Sequence, residues 1–171
     1  GGCRINFYRN IIRDDVMKLS ENFSLAELTK SQTAVRKNIN NEPGTAEINN
    51  LIHLAEAILQ PVREHFGKPV MISSGYRSPA LCEAIGSSSK SQHAKGEAAD
   101  FEINGVDNKE LATWITKNCE FDQLILEFYD GVDPNSGWVH CSAKREPGTG
   151  RKQILQAKKI EGRTAYEPII L

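Results

Sequence analysis

No stretch of this 171-residue chain approaches the ~20 consecutive apolar residues of a membrane-spanning helix, so no helical span is expected. Neither sign of charge is in excess. The 21 Lys and Arg against 22 Asp and Glu leave a formal net charge of −1. Such a balance provides no electrostatic footprint for nucleic acid or for an anionic membrane. The densest basic cluster, Lys144-Arg145 with Arg151-Lys152, is too sparse to form a binding stripe. Four cysteines, Cys3, Cys82, Cys119 and Cys141, share no CxxC spacing, which argues against a zinc knuckle or a dithiol redox motif. Free, mostly buried thiols are expected instead. Internal repeats and linker-like segments are also lacking. What remains is an ordinary globular composition, 39% hydrophobic and long enough for one domain with a real core.

The first 22 residues are weakly patterned and read as an N-terminal arm, leaving 23–171 as a single domain. Ser24 and Glu27 have capping-box spacing for a short helix, which ends before the polar loop 38–44. Ile48, Leu51, Ile52, Ala55, Ile58, Leu59, Val62 and Phe66 then recur at helical spacing. Pro61 predicts a kink or break near the end of that helix, and Gly67 a stop. His53 and His65 lie on it with no carboxylate at ligand spacing, and they read as surface or core-edge residues. A short strand over 69–73 leads to Ser78-Pro79, an N-cap and first helical residue for a helix through Ile85. Asp107 and Glu110 form a second capping box, ahead of Leu111, Trp114 and Ile115 on an inward face. Strands are expected over 122–128 and 138–143, joined by a loop of turn formers. Two edge strands, 153–155 and 168–171, complete the expectation. Together these elements predict an α+β fold: a small, mainly antiparallel sheet with helices packed on one face and a cleft on the other.

The chemistry concentrates between Ser91 and Asp100, where His93 precedes Asp100 by seven residues with Gly96, Ala98 and Ala99 between them. His140 follows forty residues later in Trp138-Val139-His140-Cys141-Ser142. Two imidazoles and one carboxylate are the open set that a catalytic zinc takes, because the fourth position must admit water. Side chains alternate faces along a strand, and that parity tests the grouping. Ala99, Phe101 and Ile103 share one face and leave Asp100 and Glu102 on the other. Leu124, Leu126 and Phe128 leave Ile125 and Glu127 opposite them. Val139 and Cys141 leave Trp138, His140 and Ser142. Each strand therefore has an apolar face for a helix layer and a second face bearing a reactive group. The same parity turns Cys141 into the core and excludes it as a ligand.

Ser91, His93, Gly96, Ala98 and Asp100 together resemble the SxHxxGxAxD signature of the zinc D-alanyl-D-alanine carboxypeptidases, a family of peptidase M15 type that shares its fold with the hedgehog signalling domain. Trp138-Val139-His140 resembles that family's later zinc-histidine motif, and Ser74-Gly75-Tyr76-Arg77-Ser78 its SGYRS segment. The resemblance runs from about Phe23 to Ser142. It implies one zinc ion held by His93, Asp100 and His140. It also implies that Arg77 stabilises a substrate carbonyl or carboxylate, and that Ser91 and Trp138 lie beside the substrate. The implied substrate is a peptidoglycan stem peptide, cut at D-alanyl-D-alanine or, as in phage endolysins of the family, at L-alanyl-D-glutamate. A monomer acting on the cell wall is the expected form, either in the cell envelope or as a phage product. One departure matters. Many members place the catalytic carboxylate three residues before the last histidine, where this chain has Gly137. Glu127, on the preceding strand with the required parity, is then the candidate base, with Asp130 and Asp133 as rivals. A zinc-stabilised module of the same fold without turnover is the alternative that Gly137 suggests.

Overall fold

The computed structural model describes residues 17–171. Most of the expected arm, residues 1–16, lies outside this range, as does Cys3. The rest of it is not an arm. Strand β1 (Lys18–Ser20) pairs antiparallel with β2 (Phe23–Ser24), and Leu19 and Phe23 are buried in the core. Gln60 holds this ribbon down, because its Oε1 accepts from the Ser20 hydroxyl at 2.7 Å and the Asn22 N–H at 2.9 Å. A single buried leucine in a three-residue strand is too little to show a period, so the sequence pattern concealed it.

Helix α1 (Leu25–Thr29) begins with the reciprocal Ser24–Glu27 capping box. A second short helix, α2 (Gln32–Arg36), follows with its own cap at Ser31, so the single helix expected here is two. The main helix starts as α3 (Thr45–Leu54), passes through a π-helical turn over Ala55–Leu59, and continues as α4 (Gln60–Phe66) up to Gly67. Pro61 explains the π turn. It has no N–H to donate to the preceding turn, and the chain widens just ahead of it, with the Gln60 N–H donating to Ala55 O, an i→i+5 bond. The kink or break expected at Pro61 is therefore absorbed as a bulge, which keeps Leu51, Leu54, Ile58, Leu59 and Val62 fully buried.

The sheet has six strands: β3 (Met71–Ser74), β4 (Ala98–Glu102), β5 (Gln123–Glu127), β6 (Trp138–Ser142), β7 (Gln153–Ile160) and β8 (Arg163–Pro168). Their order is β3-β4-β6-β5-β7-β8, antiparallel except for the parallel pair β5/β7. Its apolar face, with Ala99, Phe101, Leu124, Leu126, Val139 and Cys141, joins one core with the main helix and with α6 (Asn108–Asn118), which contributes Leu111, Ala112 and Ile115. The chain is thus an α+β protein with a mainly antiparallel sheet, as its patterning implies. Helix α5 (Pro79–Ala84) is capped by Ser78, as expected.

The tail differs from expectation. Instead of edge strands at 153–155 and 168–171, β7 and β8 form one long hairpin about Glu161-Gly162, and β7 is interior to the sheet. Lys158 and Lys159 leave β7 without the apolar alternation that would have revealed its length. His65 stacks on Trp114 at 4.4 Å between ring centroids, a core-edge position. Cys82, Cys119 and Cys141 are free, and Cys82 and Cys141 are buried. Among the described residues no helix is long and apolar enough to cross a membrane.

Candidate metal centre

His93 sits in a single 3-10 turn (Gln92–Lys95) whose entry is capped by Ser91, the Ser91 Oγ accepting from the His93 N–H at 3.2 Å. Its ring is buried, and its Nδ1 lies 2.7 Å from the carbonyl oxygen of Gly75. A carbonyl can only accept, so Nδ1 carries the proton and Nε2 presents its lone pair. That lone pair lies 3.5 Å from Asp100 Oδ2. Two electron-rich atoms at this distance need positive charge between them, either a proton on Nε2 or a metal ion. On the other side of the carboxylate, His140 Nδ1 is 2.8 Å from Asp100 Oδ1. Asp100 and His140 are directly opposed residues of β4 and β6, which is why sheet register alone brings them together. The potential ligand atoms of His93, Asp100 and His140 all lie within 4.8 Å of one another, the grouping among the described residues that could hold a metal ion. Burial pushes the Asp100 carboxyl upward, but hydrogen bonds and charge from both histidines outweigh it and hold the group well below the usual carboxylate range. The donor set, one carboxylate oxygen and two imidazole nitrogens with one tautomer already selected, fits zinc.

These residues line an open cleft of about 490 Å³, together with Arg77, Ser91, Glu127 and Trp138. Glu127 is the last residue of β5 and is paired with Trp138 on β6. Burial, and then the Asp100 charge, push its carboxyl up to about 7, against the opposing pull of His140, Arg77 and the Trp138 indole. The buried indole N–H of Trp138 completes no hydrogen bond among the described residues. Arg77 donates its backbone N–H to His93 O at 3.1 Å, and its buried Nε has no protein partner among the described residues. Asp130 accepts from the backbone N–H groups of Val132 and Asp133 and from the Ser136 hydroxyl within its own loop. Neither Asp130 nor Asp133 lines the cleft.

Gly137 has a steric explanation. Its φ is +64°, and a Cβ built there would lie 1.7 Å from the backbone oxygen of Glu127. No side chain, and so no carboxylate, can occupy the position while β5 and β6 keep their register. Gly137→Ala is therefore expected to lower stability by more than the ~1–2 kcal/mol of a left-handed alanine alone, and to displace Glu127. Thermal unfolding checks the first effect. A Tm unchanged from the parent would contradict it.

The cleft also contains residues to which the sequence assigned no role in the site: Ser87, Gln92, Gln123, Ile125, Arg151 and Tyr166. Tyr166 belongs to β8, and Ala157 on β7 separates it from Glu127 in the same cross-strand row. Asp122 lies behind the cleft, fully buried, with Arg151 and Gln92 bound to its carboxylate. A charged residue between Phe121 and the apolar run Leu124–Leu126 was the available signal, though it did not identify a partner 29 residues away.

A family model described as Peptidase M15 matches residues 21–142, a span that includes His93, Asp100, Glu127 and His140. No curated protein matches the chain.

Proposed function

The chain belongs to the peptidase M15 family, and from that premise we propose that it is a zinc-dependent hydrolase of peptidoglycan stem peptides, with D-alanyl-D-alanine cleavage favoured over L-alanyl-D-glutamate cleavage. The observation that carries this reading is the His93 lone pair facing the Asp100 carboxylate, with His140 on the other side and Glu127 in the same cleft. His93, Asp100 and His140 would hold one zinc ion. When bound, zinc supplies Lewis acidity, making water a competent nucleophile near neutral pH and polarising a carbonyl. Glu127 takes the proton from the attacking water and returns it to the leaving amine, a task that its place in the cleft beside the metal group permits. Arg77 offers a fixed positive charge to the oxyanion or to a substrate carboxylate, and its unpartnered Nε supports that assignment. Ser91 and Trp138 border the same space and would contact the peptide.

Metal analysis followed by mass spectrometry of digested stem peptides tests the reading. Stoichiometric zinc and release of D-alanine are expected. Release of a fragment ending at L-alanine would assign the endopeptidase bond instead. Zinc without cleavage of any stem peptide would favour the module without turnover, for which the absence of a carboxylate at Gly137 is the supporting feature.

A further inference from the structure

Two guanidinium groups border the cleft, and Arg151 has no part in the chemistry assigned to Arg77. Arg151 precedes β7, beyond the residues matched by the family model. Its anchoring is unusually complete. Asp122 Oδ1 accepts from the Arg151 backbone N–H at 2.9 Å and from its Nε at 3.1 Å, while Oδ2 accepts from Nη2 at 2.8 Å. Gln92, the residue before His93, donates to the same Oδ2 at 2.9 Å, which ties the guanidinium to the segment carrying the metal-group histidine. Asp122 is fully buried, yet the Arg151 side chain is 49% exposed. The inner edge of the fork is therefore occupied by Asp122. On the outer edge, Nη1 meets only Gln153 Oε1 among the described residues, at 3.5 Å.

Charge supports a ligand there. Lys144 Nζ also lies 3.8 Å from Asp122 Oδ1, so this one carboxylate faces two cations and does not neutralise both. Had Arg151 served only to neutralise Asp122, nothing would require its guanidinium to reach the cleft wall. Sheet order gives the placement. Arg77 follows the edge strand β3 and Arg151 precedes β7, with the strands that carry Asp100, His140 and Glu127 between them. A held, planar fork with free donors is suited to a carboxylate.

We propose that Arg151 is a specificity-determining residue that binds a free carboxylate of the stem peptide on the side of the metal group away from Arg77. This assignment rests on the stem-peptide reading, and binding separates the two. The zinc-loaded Glu127→Gln protein, which should not consume peptide, is titrated calorimetrically with three probes. They are a stem pentapeptide with free glutamyl and C-terminal carboxylates, and its two analogues in which one or the other is a carboxamide. Adding Arg151→Gln is expected to weaken binding of the free-acid peptide by ~10-fold or more, the scale of one charge-assisted contact, and to leave unchanged the binding of the analogue lacking the carboxylate that Arg151 holds. That analogue identifies which carboxylate it is. Arg151→Lys should recover part of the loss. Because Arg151→Gln strips Asp122 of its main partner, the Asp122→Asn/Arg151→Gln pair is measured alongside and should show the same selective loss. Equal weakening of all three peptides, or none, in the paired variant overturns the proposal. Failure of the Glu127→Gln protein to bind any of them overturns it together with the peptide reading. Selective binding without any cleavage by the unmutated protein would leave Arg151 assigned and remove the catalytic role alone.

Discussion

Glu127→Gln is expected to keep the fold and bound zinc while losing ~10²–10⁴-fold in turnover, the usual scale for removal of a general base. The substitution is nearly isosteric and leaves Trp138 an acceptor at the paired position on β6. What it removes is the ability to take and return a proton. Without metal, burial and the Asp100 charge raise the carboxyl to about 7. A bound cation acts the other way and favours the ionised form that a base requires. Among the described residues no other carboxylate is placed to substitute easily. Asp130 is occupied by its own loop, Asp133 is exposed outside the cleft, and position 137 cannot carry a side chain. Steady-state hydrolysis of a stem peptide, with metal content measured on the same samples, decides the matter. Undiminished turnover by the glutamine variant would make Glu127 structural.

Removing the metal is expected to have the other large effect. A chelator should abolish hydrolysis and lower Tm, and added zinc should restore both. The stability change follows from linkage, because an ion that binds only the folded state at 1,000 times its Kd contributes ~4 kcal/mol. It is reinforced locally, since without positive charge the His93 Nε2 lone pair faces Asp100 Oδ2 at 3.5 Å. His93→Ala, Asp100→Ala and His140→Ala should each abolish stoichiometric zinc binding, as read by elemental analysis, and reduce hydrolysis to background. Retention of full zinc and activity by any one of them would exclude that residue from the ligand set. Asp100→Ala is the most informative of the three, because its carboxylate meets both imidazoles and is held ionised by them.

The parts legible in the sequence were those encoded by local periodicity and local caps. Helical spacing from Ile48 to Phe66, the Ser24–Glu27 box and the two-residue alternation around Asp100, Glu127 and His140 each depend on residues a few positions apart. Alternation was enough to put Asp100, His140 and Glu127 on the cleft side of their strands, because a strand has only two faces. It also sent Cys141 into the core. Pro61 announced a disturbance in the long helix, but a missing donor can be accommodated by a kink, a break or a wider turn, and only packing of the flanking leucines selected the π turn. Leu19 and the β7–β8 hairpin escaped notice because short or lysine-rich strands carry little periodic signal.

Which strands become neighbours was decided by the tertiary structure alone. The parallel pairing of β5 with β7 brings Ala157 beside Glu127, and the hairpin then carries Tyr166 into the same row. Asp122 finds Arg151 across 29 residues, and the close passage of Gly137 over Glu127 explains a glycine that by sequence looked only like a missing acid. Local pattern determines which face a side chain occupies. The identity of its partner depends on strand order and loop closure, which involve the whole chain at once.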